Sequence, residues 1–163
     1  KEAANFAADL IVRLMWNWYG HKCNEYTIVC VPASSNAEYR HRFCYFSHVV
    51  TCRCQQENAM QHVTILGKRE ALHRTANHVV QDNGTYRIEL DKEFFAGRKV
   101  IIFDDLVTTG TTAEHFAALL QEAGAEVKGA LFIAKSVKGI SKKTYWGRFA
   151  ENTTKHIMQF NHR

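Results

Sequence analysis

The side chains best suited to chemistry lie in residues 100–112, which read V-I-I-F-D-D-L-V-T-T-G-T-T. Two adjacent carboxylates, Asp104 and Asp105, follow a short apolar run and precede a turn rich in hydroxyl groups. Carboxylates accept hydrogen bonds from sugar hydroxyls and help to hold a divalent cation. A small-residue turn that opens onto a helix offers backbone amides and the positive end of the helix dipole to a phosphate. The stretch therefore predicts a site for a sugar phosphate.

The elements around this stretch must bring its polar groups to one edge of a sheet. The run at 100–103 is typical of a buried parallel strand, and we expect the acidic pair where that strand leaves the sheet. An alternation of strands with helices or long connections indicates an α/β fold, a Rossmann-like parallel sheet flanked by helices. Ligands bind such sheets outside the carboxyl ends of the strands. The other strands are predicted at 26–31, 62–66, 86–90 (which also fits a separate hood) and 130–134, and the helices at 2–19, 37–55 and 112–123.

Residues 100–112 resemble the phosphoribosyl-pyrophosphate (PRPP) binding motif of the type I phosphoribosyltransferases. That motif is a hydrophobic strand, two acids, two apolar residues and a small hydroxyl and glycine loop, and every position is filled accordingly here. The resemblance implies the type I phosphoribosyltransferase fold, with a small hood or flexible loop over the site. It also implies transfer of the 5-phosphoribosyl group from PRPP to a nitrogenous base or an amine, with release of pyrophosphate.

The resemblance gives each part of the motif a role. Asp104 and Asp105 are the expected catalytic carboxylates, and they hold the ribose 2′- and 3′-hydroxyls. Through these hydroxyls or through water they would also hold the expected cofactor, Mg²⁺, which keeps several waters and needs no all-protein cage. The 5′-phosphate is expected in the loop made of Thr108, Thr109, Gly110, Thr111 and Thr112, where the glycine permits close approach because it lacks Cβ.

A second strand-to-helix turn follows the strand predicted at 26–31. The resemblance assigns this turn to the pyrophosphate loop, while an ordinary structural turn is the alternative. Arginines follow it, and arginine offers bidentate charge-assisted bonds to phosphate. Their spacing is similar to a segment of the competence-associated (ComF-like) proteins of the family, although Cys44 and Tyr45 replace the Asn-Gln found there. The expected loop residues are Ala33, Ser34, Ser35 and Asn36, and the candidate phosphate contacts are Arg40 and Arg42.

We expect a single phosphoribosyltransferase-like domain over residues 1–163. It begins with a helix region at 1–20 and ends in a basic, aromatic tail at 138–163, which is expected to cover a sheet edge or contact the acceptor. The polar connection at 67–90 lies where type I enzymes carry the hood loop that excludes water. Candidate phosphate contacts there are Lys68, Arg69 and Arg74, and a plain solvated loop is the alternative.

The acceptor is not readable from the sequence. The 6-oxopurine enzymes of the family place an aspartate three residues after the second acid, near the base. That position is Thr108 here. A hypoxanthine or guanine activity is therefore less expected, whereas orotate-like, uracil-like and ComF-like chemistries stay open.

Charge and composition bear on the partners. The net charge of +5 and the pI near 9.0 favour an anionic partner, either a small polyphosphate or nucleic acid. No apolar run approaches the roughly 20 residues that span a bilayer, so no membrane partner is expected. Five cysteines, an odd number, predict reduced thiols in a cytoplasmic protein rather than a disulfide framework.

Cysteine and histidine side chains also raise the question of a zinc site on the second predicted helix. Cys44, His48 and Cys52 recur at i, i+4 and i+8, with Cys54 beside them. Three ligands on three turns of one straight helix span about 12 Å, which is too far to close on one ion. Burial is the commoner use of cysteine, and the sequence leaves the question open.

Other functions stay as alternatives to catalysis. The chain could be a non-catalytic PRPP-binding module, regulatory or associated with DNA uptake, or a nucleic-acid-binding protein that uses its basic surface, which is not favoured. A phosphoacceptor receiver domain is excluded because its paired acids follow the first strand, whereas Asp104 follows the fourth predicted strand and too little chain remains after it. We expect a homodimer. The cluster Trp16, Trp18 and Tyr19 suggests a dimer face or base-stacking surface, although ordinary core packing is favoured.

Overall fold

The computed structural model describes residues 2–67 and 86–136, and the backbone of 157–158. Most of the predicted hood, with Lys68, Arg69 and Arg74, and most of the tail lie outside the described residues. Short 3₁₀ turns lie at Gly20–Glu25 and Ala59–His62. The helices are α1 (Glu2–Tyr19), α2 (Asn36–Cys54), α3 (Lys92–Phe95) and α4 (Thr111–Glu122), and the strands are β1 (Tyr26–Cys30), β2 (Val63–Gly67), β3 (Tyr86–Leu90), β4 (Lys99–Val107), β5 (Glu126–Lys135) and β6 (Ile157–Met158).

The main sheet has the strand order β1-β4-β5-β6, in which β1, β4 and β5 run parallel. The predicted α/β fold with a parallel sheet flanked by helices is therefore confirmed. β6 pairs antiparallel with β5 at Ala130 and Leu131, so this part of the tail covers that edge of the sheet.

Two of the predicted strands do not join the parallel sheet. β2 and β3 form a separate antiparallel pair, with Ile65 opposite Ile88. The physical reason is visible in β2, where Val63 and Ile65 are buried but Thr64 and Leu66 are exposed. That alternation suits a ribbon with one covered face, whereas a parallel strand is buried on both faces. The expectation that 62–66 belongs to the parallel sheet was wrong. The strand at 86–90 also lies outside that sheet, as its alternative assignment to a separate hood predicted.

β4 is the central strand and is buried on both faces. Each residue from Val100 to Phe103 is at most 2% exposed. Phe103 stacks on Phe46 of α2 with a centroid distance of 4.0 Å and meets Phe43 edge-on. β4 is longer than the predicted strand, because its ladder with β5 continues through Asp104↔Phe132 to Val107↔Lys135. The acidic pair thus lies within the last part of the strand rather than beyond it.

α1 packs along α2 through an apolar stripe. Ala8, Ile11 and Met15, spaced at i, i+3 and i+7, are buried as expected for one face of a helix. The favoured interpretation of the aromatic cluster was wrong for its tryptophans, since Trp16 and Trp18 are each 41% exposed. Trp16 follows Met15, and the 100° turn between successive residues carries it away from the stripe. Trp18 lies in the last turn of α1, where its ring meets that of Tyr19 edge-on.

The cysteines divide between the interior and the surface. All five thiols are free, with Cys54 buried and Cys44 and Cys52 exposed. Cys52 Sγ lies 3.8 Å from the ring nitrogens of His48, one helical turn away. In the parts of the chain that the structure describes, no three histidine, cysteine or acidic side chains are grouped to hold a metal ion. Over the same ranges, no helix combines the length and the apolar character needed to cross a membrane.

Candidate active site at the carboxyl edge of the sheet

The acidic pair is the most highly charged feature of this edge. The Asp104 side chain is 18% exposed and that of Asp105 is 56% exposed. The Asp105 backbone amide donates to Asp104 Oδ1 at 3.0 Å. One carboxylate is therefore mostly enclosed by the protein, while the other faces solvent.

Arg42 is brought to this pair from α2. Its Nη2 donates to Asp105 Oδ1 at 2.7 Å and to Asp104 Oδ1 at 3.5 Å. The guanidinium carbon lies 4.7 Å from the centroid of the Phe43 ring, and the side chain is one third exposed. Arg40, the other arginine predicted near phosphate, is exposed on the same helix.

Sequence reasoning predicted that Arg42 contacts phosphate and missed its contact with the acids. The signal that could have found it is topological. α2 begins at the carboxyl end of β1, and β1 is the neighbour of β4. Polar side chains in the first turns of α2 therefore lie near the end of β4, where the acids are.

The electrostatics of the pair follow from burial and charge. Burial raises the pKa of Asp104 to about 6, and the neighbouring charge of Asp105 adds to this rise, whereas Arg42 acts in the opposite direction. Asp104 is thus ionised at neutral pH but begins to take up a proton in mildly acidic solution. An ionised carboxylate accepts hydrogen bonds only, which suits hydroxyl donors.

The loop between β4 and α4 leaves a helix N-terminus without a side-chain cap. Gly110 precedes α4 with φ of 89°, a left-handed conformation that glycine adopts without steric cost. The hydroxyls of Thr109 and Thr111 lie 2.9 Å apart, and the Ser136 amide donates to the Val107 carbonyl at the start of the loop. Backbone amides at a helix N-terminus and exposed hydroxyls are groups of the kind that can bind a phosphate. The exposed threonines here are Thr108, Thr109, Thr111 and Thr112.

The turn after β1 lies at the same edge, because β1 and β4 are parallel neighbours with Cys30 opposite Phe103. The Val31 amide donates to the Phe103 carbonyl at 2.8 Å. Ala33 is buried, Ser34 is exposed, and Ser35 and Asn36 are half-buried. The structure thus brings both predicted loops and the acidic pair together, while the roles assigned to their residues stay predictions.

Comparison with known proteins points in one direction. Residues 55–162 match the phosphoribosyl transferase domain family. The chain is 55% identical over 51 residues to the adenine phosphoribosyltransferase of Erythrobacter litoralis, a match that covers 31% of this chain and 29% of the relative. It is 38% identical over 65 residues to that of Nitrosopumilus maritimus, covering 36% of this chain and 38% of the relative. The matched part spans well under half the length of these curated relatives.

A solved structure with a similar chain is the hypoxanthine phosphoribosyltransferase from Staphylococcus aureus. It superposes with a TM-score of 0.46 at 15% sequence identity, covering 85% of this chain and 68% of that one.

Proposed function

The chain belongs to the phosphoribosyl transferase domain family, and from that membership we propose that it transfers the 5-phosphoribosyl group of PRPP to a nitrogenous base, with release of pyrophosphate. The observation that carries the proposal is the placement of the acidic pair beside the uncapped N-terminus of α4. A ribose 5-phosphate unit needs hydroxyl acceptors at one end and phosphate donors at the other, and this edge of the sheet offers both.

The residues of this edge account for the chemistry mainly by positioning. Cleavage of the bond between ribose C1 and pyrophosphate passes through a state that resembles an oxocarbenium ion, so the protein must hold the ribose and stabilise the leaving group. Asp104 and Asp105 accept hydrogen bonds from the 2′- and 3′-hydroxyls. The first-turn amides of α4 and the threonine hydroxyls bind the 5′-phosphate. The turn at residues 33–36, which follows the neighbouring strand β1, receives the pyrophosphate.

The acidic pair also fits a Mg²⁺ ion. Mg²⁺ prefers oxygen ligands, keeps several of its waters, and binds through one or two carboxylates together with substrate phosphates. Asp105 is more than half exposed, so its carboxylate is accessible to a hydrated ion. When bound, the ion would neutralise charge on the leaving pyrophosphate. Asp104 and Asp105 would hold it through the ribose hydroxyls or through water.

We propose adenine as the base. The curated relatives reported above are adenine phosphoribosyltransferases, and Thr108 replaces the aspartate expected of enzymes that act on hypoxanthine or guanine. A neutral hydroxyl cannot serve as the proton-handling carboxylate that is expected beside a 6-oxopurine. Adenine carries an amino group in place of the 6-oxo group, so that expectation does not apply to it.

The test is calorimetric titration with PRPP and Mg²⁺, with pyrophosphate release measured in the same samples. Adenine, hypoxanthine, orotate and uracil are supplied in turn. Release with adenine at a rate well above the other bases supports the proposal. Release with a different base would overturn the choice of acceptor, binding without release under any base would indicate a non-catalytic PRPP-binding module, and absence of binding would overturn the proposal as a whole.

A further inference from the structure

The contact between Arg42 and the acidic pair is not explained by the phosphate role predicted for this arginine. Among the described residues, Arg42 is the only basic side chain within ion-pair distance of either carboxylate. Its hydrogen bond to Asp105 at 2.7 Å is short, and the second at 3.5 Å reaches Asp104. The guanidinium is therefore already directed at the acids before any ligand arrives.

Arg42 is itself held by the core. It lies on α2 over the ring of Phe43, which is 3% exposed and packs edge-on against Phe103 of β4. The same strand carries the acids directly after Phe103. Arginine and carboxylates are thus fixed to one another through packed aromatic rings, which limits the movement of the guanidinium.

The contact leaves room for a sugar. Two carboxylates together have about eight lone-pair sites, and one arginine nitrogen occupies one site on each. The remaining oxygens can accept hydroxyl hydrogens. Without the arginine, two adjacent negative charges, one of them mostly enclosed, would repel each other and a polyanionic ligand.

We infer that Arg42 is a positioning residue, a counterion supplied by the protein that orients Asp105 and Asp104 toward the ribose hydroxyls. The inference rests on the proposed function. It differs from the phosphate contact predicted from the sequence, because a positioning residue acts through the acids and not on the pyrophosphate.

Ribose 5-phosphate separates the two roles, because it carries the same 2′- and 3′-hydroxyls as PRPP but lacks pyrophosphate. The variant Arg42→Gln removes the charge and keeps a side chain of similar reach. Arg13→Gln is the control, with the same charge change at an exposed position of α1. Dissociation constants for both ligands are measured by calorimetry at fixed Mg²⁺, after thermal melting confirms that each variant is folded.

We expect Arg42→Gln to lower the affinity for PRPP and for ribose 5-phosphate by the same factor. That factor should be about tenfold, which corresponds to the loss of one charge-assisted hydrogen bond. Arg42→Lys should recover part of the loss, because it keeps the charge but not the planar fork. In Arg13→Gln the dissociation constants should stay within about twofold of wild type, on the scale of an exposed charge. In a chain that already carries Asp105→Asn, Arg42→Gln should have less than half of its effect on the logarithm of the dissociation constant, because the two residues act as a unit.

Several outcomes would overturn the inference. A loss confined to PRPP would show a pyrophosphate contact, and tighter binding of both ligands would show that Arg42 blocks the acids. Equal losses of affinity in Arg42→Gln and Arg13→Gln would show that only the overall charge matters. Full additivity with Asp105→Asn would show that Arg42 does not act through the acids. If the wild-type chain binds neither ligand, the proposed function fails and the inference fails with it. Wild-type binding with an unchanged Arg42→Gln variant overturns the inference alone.

Discussion

The two strand-to-helix turns at the carboxyl edge of the sheet differ in how they treat the helix that follows. At the start of α2, Ser35 is the N-cap and its Oγ accepts the Glu38 amide at 3.2 Å. At the start of α4, Gly110 takes the same position and has no side chain with which to cap. One helix N-terminus is therefore capped by its N-cap serine. At the other, the Thr111 amide makes only a long bond of 3.5 Å to Thr109 Oγ1, so the first turn stays largely open to a ligand.

This difference suggests that the capped turn before α2 contributes mainly to stability and the open turn before α4 mainly to binding. A side-chain cap satisfies a backbone donor that would otherwise lack a partner and stabilises the helix by about 1 kcal/mol. A helix without one keeps its donors and the positive end of its dipole for an anion. Under the proposed function, the turn before α4 would take the 5′-phosphate, whereas the turn before α2 would contact the pyrophosphate through loop amides that precede its cap. The predictions below test whether this division holds.

The largest effect is expected at the acids that lie between the two turns. Asp104→Asn together with Asp105→Asn should weaken PRPP binding by more than about 100-fold, because hydrogen bonds to charged groups contribute about 1.5–3 kcal/mol each. The fold should stay intact, since neither side chain is part of the apolar core. Calorimetry and thermal melting measure the two properties. Glu93→Gln with Glu122→Gln, at two exposed acids outside the proposed site, removes the same charge and should leave the affinity within about threefold. Unchanged affinity in the aspartate variant would contradict the site.

Asp104 should contribute to the pH dependence of stability with a sign that its raised pKa sets. The pKa of this carboxyl is raised from 3.8 to about 6 in the folded protein, so its stabilising contribution is present below pH 3.8 and is lost as pH rises through 6. Asp104→Asn should therefore raise the free energy of unfolding at pH 7.5 by up to about 3 kcal/mol and change it little at pH 4. Urea unfolding of both proteins at the two pH values gives the difference. A gain that is equal at pH 4 and pH 7.5 would show that burial of the charge is not its cause.

Gly110→Ala should damage binding and stability together. The left-handed backbone at φ of 89° costs a residue with a Cβ roughly 1–2 kcal/mol, and any adjustment moves the first-turn amides of α4. We expect PRPP affinity to fall about tenfold, which corresponds to the loss of about one hydrogen bond to a charged group. Gly97→Ala is the control, because φ there is 72° and an added Cβ would meet nothing within 4 Å. Gly97→Ala should lower the free energy of unfolding by a similar amount and leave the PRPP affinity unchanged. A comparable loss of affinity in Gly97→Ala and Gly110→Ala would show that backbone strain alone is responsible.

Ser35→Ala should have the smallest effect on binding. Loss of the cap should lower the free energy of unfolding by about 1 kcal/mol. PRPP affinity should change less than about threefold, because the capped amide is not available to the ligand. Ser34→Ala, at the exposed neighbouring position, is the control for stability. If Ser35→Ala lowers the PRPP affinity as strongly as Gly110→Ala does, the two turns are alike in function. The proposed division between a stabilising turn and a binding turn would then be wrong.

What could be predicted from the sequence was local in the chain. The acids, the threonines and Gly110 lie within nine consecutive residues, so their order already implies strand, turn and helix. Helix bounds were predicted closely, because α1 and α4 carry apolar residues at helical spacing. Strand ends were predicted less well, because a strand continues for as long as a neighbouring strand pairs with it. The last residues of β4 pair with β5, which lies outside the sequence pattern around the acids.

The order of residues along the chain was therefore enough to predict the α/β class, the family resemblance and the position of the acidic pair before a helix. Tertiary structure alone decided that Arg42, 63 residues away in the chain from Asp105, would pair with the acids. It also decided that β2 and β3 would form their own antiparallel pair, and that Trp16 and Trp18 would stay partly exposed. The physical reason is that propensity, capping and periodicity act over a few neighbouring residues, whereas ion pairs, strand partners and burial depend on which distant segments packing brings together.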